Sequence, residues 1–371
     1  MNQEISAPVR LAVMGAGLIG KNHIAHIAKS AEADLAAVVD PMPAARELAA
    51  TYGAAWYPSF AELLAEMRPD GVVVATPNQM HVANGLDCIA AGIPALVEKP
   101  LADDVAEAEK LVRAAERAGV PLLTGHHRRH NPLIQRAKEV IEAGHLGRII
   151  SVQGTCWFFK PDSYFDPAWR RQKGAGPVFL NLIHDVDLLR YLCGEVVAVQ
   201  AAESRMLRNN EVEETAVILL HFASGALGTV NVSDAIQAPW SWEFTSGENP
   251  AYSHTKETCY NIGGTGGSLS VPYLDLWRHP AKADWWSPLE YERIPVAHQD
   301  PLGLQIANFC GVIRGTAKAV VPASEGLKTL KVIEAVKQAA ASGALIRLDS
   351  RAASERPDRL ADEIRSGSCF K

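Results

Sequence analysis

Four short groups in this 371-residue chain have the residue types and spacing for chemistry beside a bound dinucleotide. Gly15-Ala16-Gly17-Leu18-Ile19-Gly20 fits G-x-G-x-x-G, between an apolar run and a helical stretch carrying Ile19, His23, Ile24 and Ile27. In that setting Gly15 permits a tight turn, Gly17 lets backbone approach a pyrophosphate, and Gly20 lets helix and strand touch. Leu18 and Ile19 complete the cradle, where the helix N-terminus offers amide hydrogens and a positive dipole end. Asp40 closes the next apolar run, the place where a carboxylate accepts hydrogen bonds from an adenosine ribose. A carboxylate there repels a 2′-phosphate, and Pro41-Met42 supplies no adjacent arginine, so NAD is expected over NADP despite Arg46 nearby. Thr76-Pro77-Asn78 and Glu98-Lys99-Pro100 end two further runs. Thr76, Pro77 and Asn78 are expected to line the nicotinamide side, with His81 packed under them and Glu98 beside. Lys99 can hydrogen-bond a substrate oxygen and stabilise alkoxide character during hydride transfer. Pro100 holds the strand end extended, with a cis bond before it as one option.

A second set lies downstream. Residues 178–193 read as one helix, with Val178, Phe179, Leu182, Ile183, Val186 and Leu189 on a buried face. Asn181, His184 and Asp185 share another face. His184 is the best general acid/base, because its ordinary pKa lies nearest neutral pH. Arg128 and Arg129 follow a strand end; they can reach a nicotinamide carboxamide or an anionic substrate, with solvated charge the alternative for at least one. Trp169, Arg170 and Lys173 are substrate-side candidates, and His254 is a more distant one. His126, His127 and His130 have no Cys or carboxylate beside them, so a polar loop or cofactor contact is read there and no metal.

These groups need a scaffold. Apolar runs at 9–14, 35–39, 71–75, 95–97 and 120–124 alternate with helical segments at 18–27, 43–51 and 80–91. Ser59 with Glu62, and Asp104 with Glu107, are capping boxes that start two more helices. Short connections between such units mean a doubly wound parallel sheet, an α/β Rossmann domain over 1–125, with ligands beyond the carboxyl ends of its strands. From 126 to 350 the texture becomes α+β. Strands at 149–157, 196–203, 214–222 and 226–232 suggest a large, mostly antiparallel open sheet, accompanied by helices at 131–143, 178–193, 302–313 and 324–341. Residues 351–371 read as a polar tail. Lys plus Arg number 36 against 42 Asp plus Glu, a net charge of −6 with no basic cluster, which argues against nucleic acid as a partner. No apolar run is long enough for a membrane span and the start lacks a signal-like core, so a cytoplasmic location is expected. The six cysteines are scattered, without a disulfide framework. Seven of the eight tryptophans lie after residue 150, most of them expected in packing or a subunit contact.

With Glu98-Lys99-Pro100 in place, the chain resembles the Gfo/Idh/MocA family, glucose–fructose oxidoreductase, inositol dehydrogenase and their relatives. The likeness runs from about Val9 to Leu348 and includes the glycine loop with His23, Ala75 to Asn78, Gly125 to Pro132, and Ile183-His184-Asp185-Val186-Asp187. It implies a Rossmann domain followed by a sheet domain whose open face makes homodimers or homotetramers. It also implies His184 as a catalytic residue. One departure stands out: inositol-dehydrogenase-like members often carry Asp four residues before this histidine, where this chain has Leu180, then Asn181. The expected activity is NAD-dependent oxidation of a secondary alcohol on a sugar, sugar acid or cyclitol. Two alternatives are a dehydrogenase of a carboxylated cyclic diol such as an aromatic dihydrodiol, prompted by Arg128, Arg129, Arg170 and Lys173, and a non-catalytic NAD-binding regulator.

Overall fold

The computed structural model describes residues 7–348, so the expected tail lies outside the described residues. Six strands, β1 (Val9–Met14), β2 (Ala33–Val39), β3 (Ala55–Tyr57), β4 (Gly71–Val74), β5 (Ala95–Val97) and β6 (Leu122–Thr124), form one all-parallel sheet in the order β3-β2-β1-β4-β5-β6. Strand order reverses between β1 and β4, which opens the crevice where such sheets take ligands. β1 and β4 are buried almost without break, as strands covered on both faces must be. Helices α1 (Leu18–Ile27), α2 (Pro43–Thr51), α3 (Phe60–Glu66), α4 (His81–Ala90) and α5 (Val105–Ala118) supply the cover. Both expected capping residues act: Ser59 accepts from the Glu62 N–H and Asp104 from the Glu107 N–H.

The second sheet has nine strands. β7 (Ile149–Trp157), β8 (Val196–Ser204), β9 (Thr215–Phe222), β10 (Leu227–Ser233), β11 (Tyr260–Gly264), β12 (Ser268–Val271), β13 (Asp275–Arg278), β14 (Glu290–Arg293) and β15 (Ile346–Arg347) run in the order β14-β13-β12-β11-β7-β10-β9-β8-β15. Every pairing is antiparallel except β10 with β7. Helices α6 (Pro132–Glu142), α7 (Pro177–Leu180), α8 (Leu182–Cys193) and α9 (Trp242–Thr245) follow the first domain, and α10 (Pro301–Ile313) and α11 (Ala323–Ser342) come last. α8 and α11 bury Leu189, Leu192, Ile333 and Val336 against Val199, Ile218 and Val230 on one sheet face. The other face is open: Gln153, Thr155, Trp157, Thr229, Asn231 and Asn261 line a cavity of about 470 Å³ upon it. α10 returns to the first domain, where Ile306, Phe309 and Cys310 pack with Leu11, Val13 and Leu96.

Two expectations need correction. Residues 178–193 are two helices, because Asn181 leaves the α7 geometry and starts α8. The short α7 has its own anchor, the Glu213 carboxylate, which accepts from the Val178 N–H at 3.0 Å. α8 is not half-buried either; every residue from Leu182 to Arg190 is enclosed, since β7, α6, α11 and the turn at His127–His130 pack around it. Packing accounts for Trp157, Trp240, Trp242 and Trp277, as expected of most of the tryptophans, while Trp285 and Trp286 are 95% and 91% exposed. Among the described residues no helix is long and apolar enough to cross a membrane, and Cys88, Cys156, Cys193, Cys259 and Cys310 are free thiols.

Candidate active site

The dinucleotide cradle sits at the carboxyl end of β1. Gly15 has φ +93°, and a Cβ there would lie 2.5 Å from the Ala75 carbonyl oxygen. A Cβ on Gly20 would lie 1.9 Å from the Gly15 oxygen, so the turn and helix meet backbone to backbone. Gly17 faces open space, and it precedes α1 with no side chain capping the first-turn amides. Uncapped amides, a bare N-terminal residue and no acidic group in that turn fit a pyrophosphate. Leu18 is 86% exposed there, an apolar surface free to meet a ligand. Asp40 ends β2 and its carboxylate accepts from the Ala16 and Met42 N–H groups, each at 2.8 Å, which locks the acid beside the glycine turn. Arg46 stacks on Trp56.

Lys99 follows β5 and its peptide bond to Pro100 is cis. Glu98 is turned inward: its carboxylate meets His23 Nε2 at 2.7 Å and accepts from the Lys99 N–H at 3.1 Å. Burial alone would raise this acid, but the bond and charge of His23 outweigh it and bring the pKa down to about 2. His23 belongs to α1, so an enclosed ion pair braces the cradle helix against the strand end that carries Lys99. Glu98 therefore supports the site from below. The Lys99 ammonium crosses to the second domain and donates to the Leu180 carbonyl at 3.3 Å. Burial lowers its pKa, and Arg128 and Lys160 push the same way against the attraction of Glu98.

His184 lies on α8 one turn beyond that carbonyl, with its N–H on the Asn181 carbonyl at 3.1 Å. Burial pulls the imidazole pKa well below its usual value, and the positive charges of Arg128 and Lys99 add to this. His127 and His126 stand edge-on to it, with ring centres at 5.5 and 6.0 Å. Sequence reasoning left Lys160 and Glu243 out of this group. Lys160 donates to the Asn181 side-chain oxygen at 2.8 Å, and Glu243 receives Arg128 at 2.6 Å. A signal for Lys160 existed: like Lys99, it precedes a proline just past a strand end.

The remaining candidates divide. Thr76 bonds Asn84 at 2.9 Å, while His81 bridges the Thr76 and Pro100 carbonyls at 2.9 and 2.7 Å and so ties two strand ends together. Pro77 and Asn78 lead into a 3-10 turn at the same edge. Neither arginine of the pair is solvated. Arg128 is buried over Trp242, and Arg129 grips Asp187 through two bonds of 2.8 and 2.7 Å, which withdraws it from any ligand. Arg170 stacks on Tyr164 at 4.1 Å and donates to its carbonyl, with half-exposed Trp169 alongside. His254 is not brought to this group; it packs on Tyr273 in a separate cavity of about 250 Å³ with His298 and Arg293.

Three enclosed imidazoles make a testable demand on stability. Burial lowers His126 to about 4 and His130 to about 3, and pulls His184 down too. The unfolded chain binds protons at these rings below about pH 6.5 while the native chain does not, so stability is present above that value and declines on acidification. The urea midpoint should therefore fall steadily from pH 7 towards pH 4. A midpoint that stays level across that window would mean the rings are protonated in the native protein.

A model described as an oxidoreductase family with an NAD-binding Rossmann fold matches residues 9–126, and the GFO/IDH/MocA C-terminal domain matches residues 134–270. The chain belongs to the Gfo/Idh/MocA oxidoreductase family. It is 34% identical to the rhizopine catabolism protein MocA of Rhizobium meliloti over 50% of this chain and 57% of that protein, and so spans little more than half that relative's length. Identity to the myo-inositol 2-dehydrogenase of Thermotoga maritima is 30%, over 61% of this chain and 68% of that enzyme. The WlbA dehydrogenase from Bordetella pertussis, crystallised with NADH and UDP-GlcNAcA, superposes with a TM-score of 0.74 at 27% identity, covering 92% of this chain and 99% of that one. As a Gfo/Idh/MocA oxidoreductase, the chain uses NAD as the cofactor of its Rossmann domain.

Proposed function

We propose that the chain oxidises a secondary alcohol on a sugar, sugar acid or cyclitol, with Lys99 and His184 as its catalytic residues. The observation that supports this reading is a half-buried lysine from the first domain that reaches the Leu180 carbonyl, one turn before the buried imidazole of His184 and beside a pyrophosphate cradle. When bound, NAD supplies the hydride acceptor. Oxidation then needs a proton removed from the hydroxyl while the hydride leaves its carbon. Lys99 Nζ hydrogen-bonds the substrate oxygen and steadies the negative charge that grows there. The neutral imidazole of His184 accepts the proton, a role its depressed pKa leaves open at neutral pH. Arg128, Asn181, Trp169 and Arg170 line the substrate side, and the uncovered face of the second sheet supports a homodimer or homotetramer.

The experiment is NAD reduction, followed by absorbance, across neutral and acidic sugars and cyclitols. At least one should be oxidised, and His184→Asn should lower kcat by on the order of 10²-fold and remove the acid limb of its pH profile. NAD binding without turnover of any alcohol would favour a regulator instead, and an unchanged pH profile would take the proton from His184.

A further inference from the structure

We propose that Lys160 anchors an anionic group of the substrate, a carboxylate in the first instance, which makes the preferred substrate an acid. The proposal rests on the dehydrogenase reading and narrows its substrate class. Lys160 follows the end of β7 and is only 5% exposed. Its N–H donates to the Asp234 carbonyl at 2.8 Å and its ammonium lies 3.4 Å from the Asp234 carboxylate. Arg208 competes for that same carboxylate and also donates to the Lys160 and Asp234 carbonyls, at 3.1 and 2.8 Å. The Asp234 carboxylate is thus shared between two cations, with Glu243 the further acid that acts on Lys160. Lys160 also takes the Asn181 side-chain oxygen at 2.8 Å, which turns that amide's NH2 away as a further donor.

The surroundings are short of acceptors. Arg128 gives one nitrogen to Glu243, while its Nε and Nη1 are buried without a partner among the described residues, as is Arg170 Nε. Against these donors stand Glu243 Oε2 and Asp185 Oδ2. Lys99 has a carbonyl as its hydrogen-bond acceptor. A ligand carboxylate supplies charge-assisted acceptors to these donors, where a hydroxyl supplies weaker ones. Arg129, one of the cations that suggested an acidic substrate from sequence, takes no part, because Asp187 and Glu325 hold it.

Matched pairs test this: glucuronate against glucose, and galacturonate against galactose, titrated calorimetrically into the full chain loaded with NADH. The acid of each pair should bind at least about tenfold more tightly than its neutral partner. Lys160→Gln, which keeps a donor for Asn181 and loses the charge, should erase that ratio. Asp234→Asn leaves Lys160 in place and removes its competing acid, so it should widen the ratio; this variant also decides the matter if Lys160→Gln does not fold. Equal binding of acid and neutral sugars by the wild-type chain, or a ratio untouched by either variant, overturns the proposal. Because the readout is binding, a lack of NAD reduction in the separate assay counts against the dehydrogenase reading and leaves this ratio to be judged by itself.

Discussion

Lys99→Ala is expected to reduce kcat by about 10²–10³-fold, the usual cost of deleting one donor aimed at a developing oxyanion. The half-buried ammonium is already directed across the cleft at 3.3 Å from the Leu180 carbonyl, so little reorganisation precedes reaction. NAD affinity should hold nearly constant, because the pyrophosphate cradle and Asp40 lie on other strand ends. Rapid-quench turnover together with a fluorescence titration of NADH separates the two quantities. Lys99→Arg should not restore activity, since a planar fork is a poor substitute for a point ammonium. Near-normal turnover in Lys99→Ala would remove this lysine from the chemistry.

Arg129→Ala should destabilise the fold by about 3–5 kcal/mol, because it strands an enclosed carboxylate. Asp187 is 1% exposed and would keep only the Thr329 hydroxyl at 2.8 Å, with His126 3.9 Å away. The pair does more than fill space. Arg129 follows the last strand of the first domain, Asp187 sits on the helix of His184, and Glu325 and Thr329 come from α11. Arg190 closes the ring by donating to Thr329 at 2.7 Å and to Glu325 at 3.1 Å. A urea midpoint lowered in Arg129→Ala, and largely regained in Arg129→Met with Asp187→Leu, would establish a buried charge pair. Loss of activity without loss of stability would instead return Arg129 to the substrate.

The first domain was legible because its signals are local. Apolar runs, glycine spacing and two capping boxes each occupy a handful of neighbouring residues, and the structure keeps all of them. The far end of the second sheet was not. β11 to β13 are too short for their alternation to stand out, and all four residues of β14 are exposed. Apolar neighbours at helical spacing read Asn181 into a continuous helix; the bonds made at the break, from Lys160 to its side-chain oxygen and from Lys99 to the Leu180 carbonyl, come from distant segments. The site divides on the same principle. Lys99 and His184 sit in motifs, whereas the pairing of Lys160 with Asp234, and of Arg129 with Asp187, is a matter of distant chain segments meeting.

The partner of the Lys99 ammonium is a main-chain oxygen. No codon change at position 180 deletes it. A different side chain at that position leaves the oxygen, and with it the aim of the ammonium, in place.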